Sequence, residues 1–198
     1  MVLIFGMDMF LLGKPSAERI RRFIVSQCEL PFSYPEVGAT RRALPAEYTI
    51  DHNRVKLGIG AEVFKRAVRS LENWKQFDLG WVRIVPEGTP VKVDAVVAIL
   101  TRHFGFWSLN ACRVVYLVEE NEPVKKFGFA YGTLSSHVER GEERFTVEWD
   151  ADDDSVWYDI LAFSRPNKIL VRLGFPLARL LQKRFARDSL SAMSHLHS

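Results

Sequence analysis

Cysteine is nearly missing from this chain. Its 198 residues include only Cys28 and Cys112, too few for a disulfide framework and without metal spacing. Two reduced thiols fit a reducing cytosol, so a cytoplasmic protein is expected. A strong charge of either sign is also lacking. There are 27 Lys and Arg against 24 Asp and Glu, and the resulting +3 is too mild to imply nucleic acid. No phosphate loop, nucleophile elbow or zinc motif occurs. Gly58-Ile59-Gly60 precedes a helical pattern, but without a third glycine and a parallel sheet it is no dinucleotide fingerprint. No cofactor and no metal are expected. The opening MVLIFGMDMFLLGK is apolar, yet it has no basic residues ahead of it, carries Asp8 and lacks a small-residue cleavage site. It is also too short to span a bilayer, so stable membrane insertion is not expected. Met7 and Met9 offer alternative starts.

What the chain does have is apolar surface. Hydrophobic residues make up 47% and aromatics 12%, so large rings must be packed or must line something. At this length one domain can bury about 70% of the surface its unfolded chain exposes.

The run from Asn167 to Met193 organises the rest. Leu173, Leu177, Leu180, Leu181, Phe185 and Ala192 recur at helical spacing, with Arg172, Arg179, Lys183, Arg184 and Arg187 on the other side. Gly174 and Pro176 predict a kink or a broken first turn. Ser16 caps a short helix in AERIRRFIVSQCEL, and 30–45 is loop-like with three prolines. Residues 1–47 therefore form an N-terminal extension strapped onto a main domain of 48–198, since they hold too few apolar residues for their own core.

The main domain begins with a strand over 48–58. A helix over 61–77 follows, marked by Phe64, Ala67, Val68, Leu71 and Trp74. Six strands come next, at 81–85, 91–101, 111–118, 125–133, 142–149 and 156–163, with HFGFWSL at 103–109 as an aromatic loop. In 125–133, Phe127, Phe129, Tyr131 and Thr133 share one face, and Gly128, Ala130 and Gly132 share the other. Glycines placed this way mark a bend or a close approach. Short turns between successive strands demand an antiparallel meander. Its apolar face needs a cover, and the last helix is the longest element available. The fold class is α+β, a curved antiparallel sheet of about seven strands wrapped on a long C-terminal helix.

Several stretches carry a family resemblance: LPFSYPEVGAT at 30–40, VKLGIGAEVFKRAV at 55–68, FDLGWVRI at 77–84, WSLNACRVVYLVEE at 107–120, FGFAYGTLSSHVERGEERFTVEW at 127–149, SVWYDILAFSRP at 155–166 and FARDSLSAM at 185–193. The chain resembles an uncharacterised family of bacterial and plant proteins labelled domain of unknown function 1990. Its architecture resembles the START-like, or helix-grip, superfamily. The superfamily implies a hydrophobic ligand cavity between the sheet and the last helix. The family implies no activity of its own.

Three stretches could carry chemistry. SSHVERGEER at 135–144 offers His137 with Glu142 or Glu143 as a general acid–base pair. The competing reading is a solvated hairpin turning at Gly141. Glu143 shares parity with Phe145, so it is the carboxylate expected to point inward. HFGFWSLNACR offers Trp107, Asn110 and Arg113 as an aromatic plate, an amide and a cation. Against it stands ordinary core closure by Trp107, with Asn110 capping a turn and Arg113 paired to an acid. In Trp157-Tyr158 only one ring can face the helix.

The leading expectation is a protein that binds a small apolar or amphipathic molecule. Trp107, Phe129, Tyr131 and Trp157 would lie against its body, and Asn110, Arg113 and Glu143 would hold its polar end. Two alternatives remain. One is an enzyme of cyclase, dehydratase or hydrolase type using His137 and a nearby glutamate. The other is a module that docks on a partner or an anionic surface through the basic helix.

Overall fold

The computed structural model describes residues 10–103, 105–167 and 175–196. A two-residue strand, β1 (Phe10–Leu11), comes first. Helix α1 (Ala17–Gln27) follows, and its cap forms as expected: the Ser16 hydroxyl accepts the Arg19 N–H. Strand β2 (Thr49–Ile59) and helix α2 (Ala61–Glu72) lead into a single 3₁₀ turn at Lys75–Phe77. The meander is then β3 (Val82–Val85), β4 (Val96–His103), β5 (Phe106–Glu120), β6 (Val124–Thr133), β7 (Glu139–Asp150) and β8 (Ser155–Pro166). Helix α3 (Phe175–His195) closes the chain.

Seven strands form one antiparallel path in the order β2-β8-β7-β6-β5-β4-β3, and β1 adds beside the first half of β5. The sheet curves around α2 and α3, which is the helix-grip arrangement. Pro176 sits in the first turn of α3, where its missing N–H costs nothing. The expected kink at Gly174 lies outside the described residues, as do Arg172 and Leu173.

Several boundaries differ from expectation. The helix expected over 61–77 ends at Glu72, because Trp74 takes a left-handed backbone at φ 56. Asp94 takes a left-handed backbone at φ 66, so 91–95 is a turn and the strand starts at Val96. The aromatic stretch 103–109 is not a loop. It is a tight hairpin whose second arm is already β5, with His103 paired to Phe106 and Thr101 to Ser108. Gly141 does not turn the chain either. It lies inside β7, where a Cβ would overlap the Phe163 carbonyl of β8.

Strand parity divides the side chains into two layers. On the concave face, α2 sets Phe64, Ala67 and Leu71 against the sheet, and Trp74 meets Phe129 edge-on at 4.7 Å. Phe77 bridges the two helices, packing on Phe145 at 5.5 Å and on Phe185 of α3 at 5.0 Å. On the convex face, Ile20, Phe23 and Ile24 of α1 join Leu11, Ala98, Leu100 and Leu109 in a second apolar cluster.

One carboxylate gathers much of the loop after α1 onto this convex face. Glu142 of β7 is 2% exposed. It accepts Tyr34 Oη–H at 2.8 Å, Gly38 N–H at 2.6 Å, and both the N–H (3.0 Å) and the hydroxyl (2.5 Å) of Thr40. Because the Thr40 hydroxyl donates to Glu142, its oxygen is the acceptor for Tyr116 Oη–H at 2.7 Å. Tyr34 lies directly over Gly132, where any Cβ would overlap its hydroxyl. That is the close approach the glycines of β6 announced.

Glu142→Gln replaces one acceptor oxygen by an N–H₂ facing backbone donors. A loss of about 3 kcal/mol in urea unfolding is expected, together with faster proteolysis within 28–48.

Candidate functional site

The concave face is filled at one end only. Beneath α2 the rings of Trp74, Phe77, Phe129 and Phe145 interlock. Beneath α3 they give way to small side chains. Ala178 and Ala186 of α3 face Ala162 and Ser164 of β8, and a cavity of about 970 Å³ opens between them. Its apolar wall is Phe77, Trp81, Val82, Ile99, Ile160, Leu181, Phe185 and Leu190. Phe106, half exposed, stands at its edge.

The polar wall falls into two groups. On β4 and β5, Thr101, His103, Ser108 and Asn110 share one face. His103 Nε2 and Ser108 Oγ are 2.9 Å apart, and Asn110 Nδ2 donates to the same hydroxyl at 3.3 Å. Asn110 Oδ1 and His103 Nδ1 are buried with no partner. Burial pushes the His103 imidazole below its ordinary value, which keeps it neutral.

The second group joins β2, β7, β8 and α3. Arg179 of α3 grips Asp51 through both terminal nitrogens, at 2.5 and 2.8 Å, and also donates to Gln182 Oε1. Gln182 Nε2 in turn donates to Glu139 Oε1 at 2.8 Å and to Ser164 Oγ at 3.1 Å. Four residues further along β7, Glu143 accepts Tyr131 Oη–H at 2.7 Å. Neither Glu139 nor Glu143 has an ion-pair partner among the described residues. Burial, reinforced by repulsion from Glu139 and Asp51, raises the Glu143 carboxyl to about 7 against the opposing hydrogen bond from Tyr131. Burial raises Glu139 too, against Gln182 and Arg179.

His137 also lines the cavity, 7% exposed. Its Nδ1 accepts the Glu139 N–H at 2.9 Å, which leaves the ring proton on Nε2. Burial lowers it to about 4, so it stays neutral at physiological pH.

The family model for the domain of unknown function DUF1990 matches residues 33–192, from the Tyr34 loop through nearly all of α3. The chain belongs to this family. It is 37% identical to a UPF0548 protein of Dictyostelium discoideum, across 93% of this chain and 94% of that one. A UPF0548 protein of Arabidopsis thaliana, At2g17695, is 32% identical across 91% and 94%. Among solved structures, hypothetical protein jhp0584 from Helicobacter pylori matches with a TM-score of 0.49 at 15% identity, over 85% of this chain and 96% of that one.

The residues expected at a site divide by strand parity. Tyr131, Glu143, Asn110 and His137 line the cavity. Trp107 does not: it is one residue out of phase with Ser108 and packs on the convex face beside Leu109 and α1. Arg113 is on that outer face as well, donating to the carbonyls of Cys28 and Leu30. Trp157 faces outward under Arg54, and its neighbour Tyr158 reaches α3 with its hydroxyl 3.0 Å from Ser189 Oγ. Phe129 is on the concave face but is sealed under Trp74 and does not reach the space. Glu142 is spent on the Tyr34–Thr40 loop, so no His137–Glu142 pair exists. The solvated hairpin is equally wrong for 135–144, because His137, Glu142 and the wall around Glu143 are buried.

The basic face of α3 is largely engaged. Arg179 is bound to Asp51, and Arg184 and Arg187 converge on Asp188, which also accepts the Trp81 indole N–H. Leu180, expected in the apolar stripe, is 62% exposed, and Ser189 and Met193 are the buried members instead. The residues that sequence reasoning missed are Asp51, Glu139 and Gln182. Only parity along β2 and β7 signals the two acids.

A carboxyl raised from 4.5 to about 7 holds its proton in the folded state where the unfolded chain has lost it. Its contribution is therefore complete below about pH 4.5 and is lost as pH rises through 7. Glu143→Gln should stabilise the protein at pH 8 by up to roughly 3 kcal/mol and have little effect near pH 4.5. Urea melts of both proteins at the two pH values check the sign.

Proposed function

We propose that this protein binds a small apolar or amphipathic molecule between its sheet and α3. The observation that carries the reading is the cavity itself. At about 970 Å³ it is at the upper end of the range for small-molecule pockets, and it combines a broad apolar wall with a few convergent polar groups. Well-packed interiors leave few voids larger than a water molecule. A chain that fills the α2 half of its sheet with interlocked rings and the α3 half with alanines keeps the second half open for something else. A cytoplasmic setting belongs to the proposal, supported by two free thiols, Cys28 exposed and Cys112 buried. No helix of the described residues is long and apolar enough to cross a membrane.

Turnover of the bound molecule is a second reading, and Glu143 is the observation that favours it. A carboxyl that exchanges its proton near neutrality, hydrogen-bonded to a phenol and facing a cavity, suits general acid–base work.

Native mass spectrometry of the freshly purified protein tests the binding reading. A stoichiometric small molecule released on denaturation is expected. Ala186→Trp, which puts an indole into the cavity from α3, should abolish it while the circular dichroism of the fold is kept. Unchanged retention by that variant would place the molecule elsewhere and defeat the proposal. Incubating wild type and Glu143→Gln with the released molecule, and looking for a product of altered mass with wild type alone, tests turnover.

A further inference from the structure

The polar wall of the cavity is lopsided in charge and in hydrogen bonding. Three carboxylates enter it, Asp51 from β2 and Glu139 and Glu143 from β7. The half-buried cation among them, Arg179, is taken by Asp51 through both of its terminal nitrogens. Lys183 and Arg187 reach the cavity edge from the exposed side of α3 and Arg140 from β7; Arg187 is held by Asp188, and Arg140 donates to Asn167 Oδ1. His137 and His103, the imidazoles of the wall, are both neutral.

The donors next to Glu139 and Glu143 are already used. Tyr131 Oη–H is given to Glu143 Oε2, and the Gln182 amide to Glu139 Oε1 and Ser164. What remains beside the two glutamates are acceptors, with His137 Nε2–H left as a donor elsewhere on the wall. Glu143 Oε1 and Glu139 Oε2 accept no hydrogen bond among the described residues, and Asn110 Oδ1 has no donor either. A buried acceptor without a donor carries a desolvation cost that a ligand N–H would remove.

We propose that the cavity is built for an amphiphile with a cationic amine head, whose ammonium N–H groups are taken by Glu143 Oε1 within the negative field of Glu139 and Asp51. This rests on the binding reading above and names the ligand class. The apolar body lies along Phe77, Ile160, Leu181 and Phe185. An ammonium brings donors and a charge opposite to the wall, so each interaction is charge-assisted. The rings of Tyr131 and Phe77 also line this wall. A carboxylate or phosphate head would bring acceptors to acceptors and a like charge to buried carboxylates. The same wall therefore selects against fatty acids and other anionic lipids.

The test uses the full chain and a matched series of heads on one tail. Fluorescence of the neutral dye N-phenyl-1-naphthylamine reports entry to the apolar cavity. Decylamine, decanol and decanoate, each below its aggregation threshold at pH 7.5, then compete for it. Decylamine is expected to displace the dye at a concentration at least about tenfold below decanol, with decanoate weakest. Glu143→Gln should bring decylamine to the level of decanol, both read against that variant's own dye affinity. Glu139→Gln should reduce the preference in part, which keeps the test usable if Glu143→Gln misfolds. Equal displacement by the three heads, or a preference for decanoate, would overturn the amine assignment and leave the binding reading standing. A protein that takes up neither dye nor any of the chains would remove the binding reading and this one with it.

Discussion

A β-strand sends successive side chains to opposite faces, and in β7 that alternation separates two neighbouring glutamates. Glu142 goes to the convex side, where four donors from Tyr34, Gly38 and Thr40 saturate it. Glu143 goes to the concave side, where one phenol meets it and the cavity lies beyond. Identical chemistry one residue apart thus serves two purposes, decided by parity alone. Neither strand slip nor rotation can exchange them, because a one-residue shift would bury Arg144 among the rings and expel Phe145. The register of β7 between β6 and β8 therefore holds the loop fastening and the cavity chemistry together.

The cavity exists because the two helices meet the sheet with different residues. Around α2 the pairings are ring on ring, and Phe77 at the end of the 3₁₀ turn wedges between Tyr131, Phe145 and Phe185. That wedge acts as a spacer. α3 is also tied at Asp51 by Arg179 and at Tyr158 by Ser189. Opposite β8 its lining positions include Ala178 and Ala186, which are too short to reach Ala162, while Gln182 spans the gap to Ser164. A helix supported along its length by a ring and by polar ties does not need to collapse onto the sheet, so the volume between the supports stays open.

Much of this was legible before any coordinates. The meander follows from turn spacing, the C-terminal cover from one amphipathic run, and the inward aim of Glu143 from its parity with Phe145. The individual site residues were harder, for physical reasons. In Ala111–Val118 nearly every position is apolar, so the sequence sets no parity there, and chemistry alone puts Trp107 and Arg113 on the wrong face. Asn110, put forward on the same chemistry, does line the cavity, because it is in phase with Ser108. Glu142 looked like a base because a sequence does not display backbone N–H groups, and three residues of a distant loop supply its partners. Asp51 and Gln182 are 131 residues apart, and only the curvature of the sheet brings β2 to α3.

The cost of Glu143 bears most directly on function. An acid held at about 7 in a wall of acceptors destabilises the folded chain at neutral pH, and a glutamine or a leucine at that position would remove the burden. Chains keep locally unfavourable groups where a site needs them, so a strained electrostatic position at a cavity wall points to use rather than accident. The surroundings sharpen the point. Structural burial of a carboxylate would resemble Glu142, with every lone pair occupied, yet Glu143 and Glu139 each leave one oxygen without a donor in the part of the core that packing leaves open. A ligand cation in that space would cancel the penalty at its source, so the cost of the buried carboxyl becomes part of the binding energy.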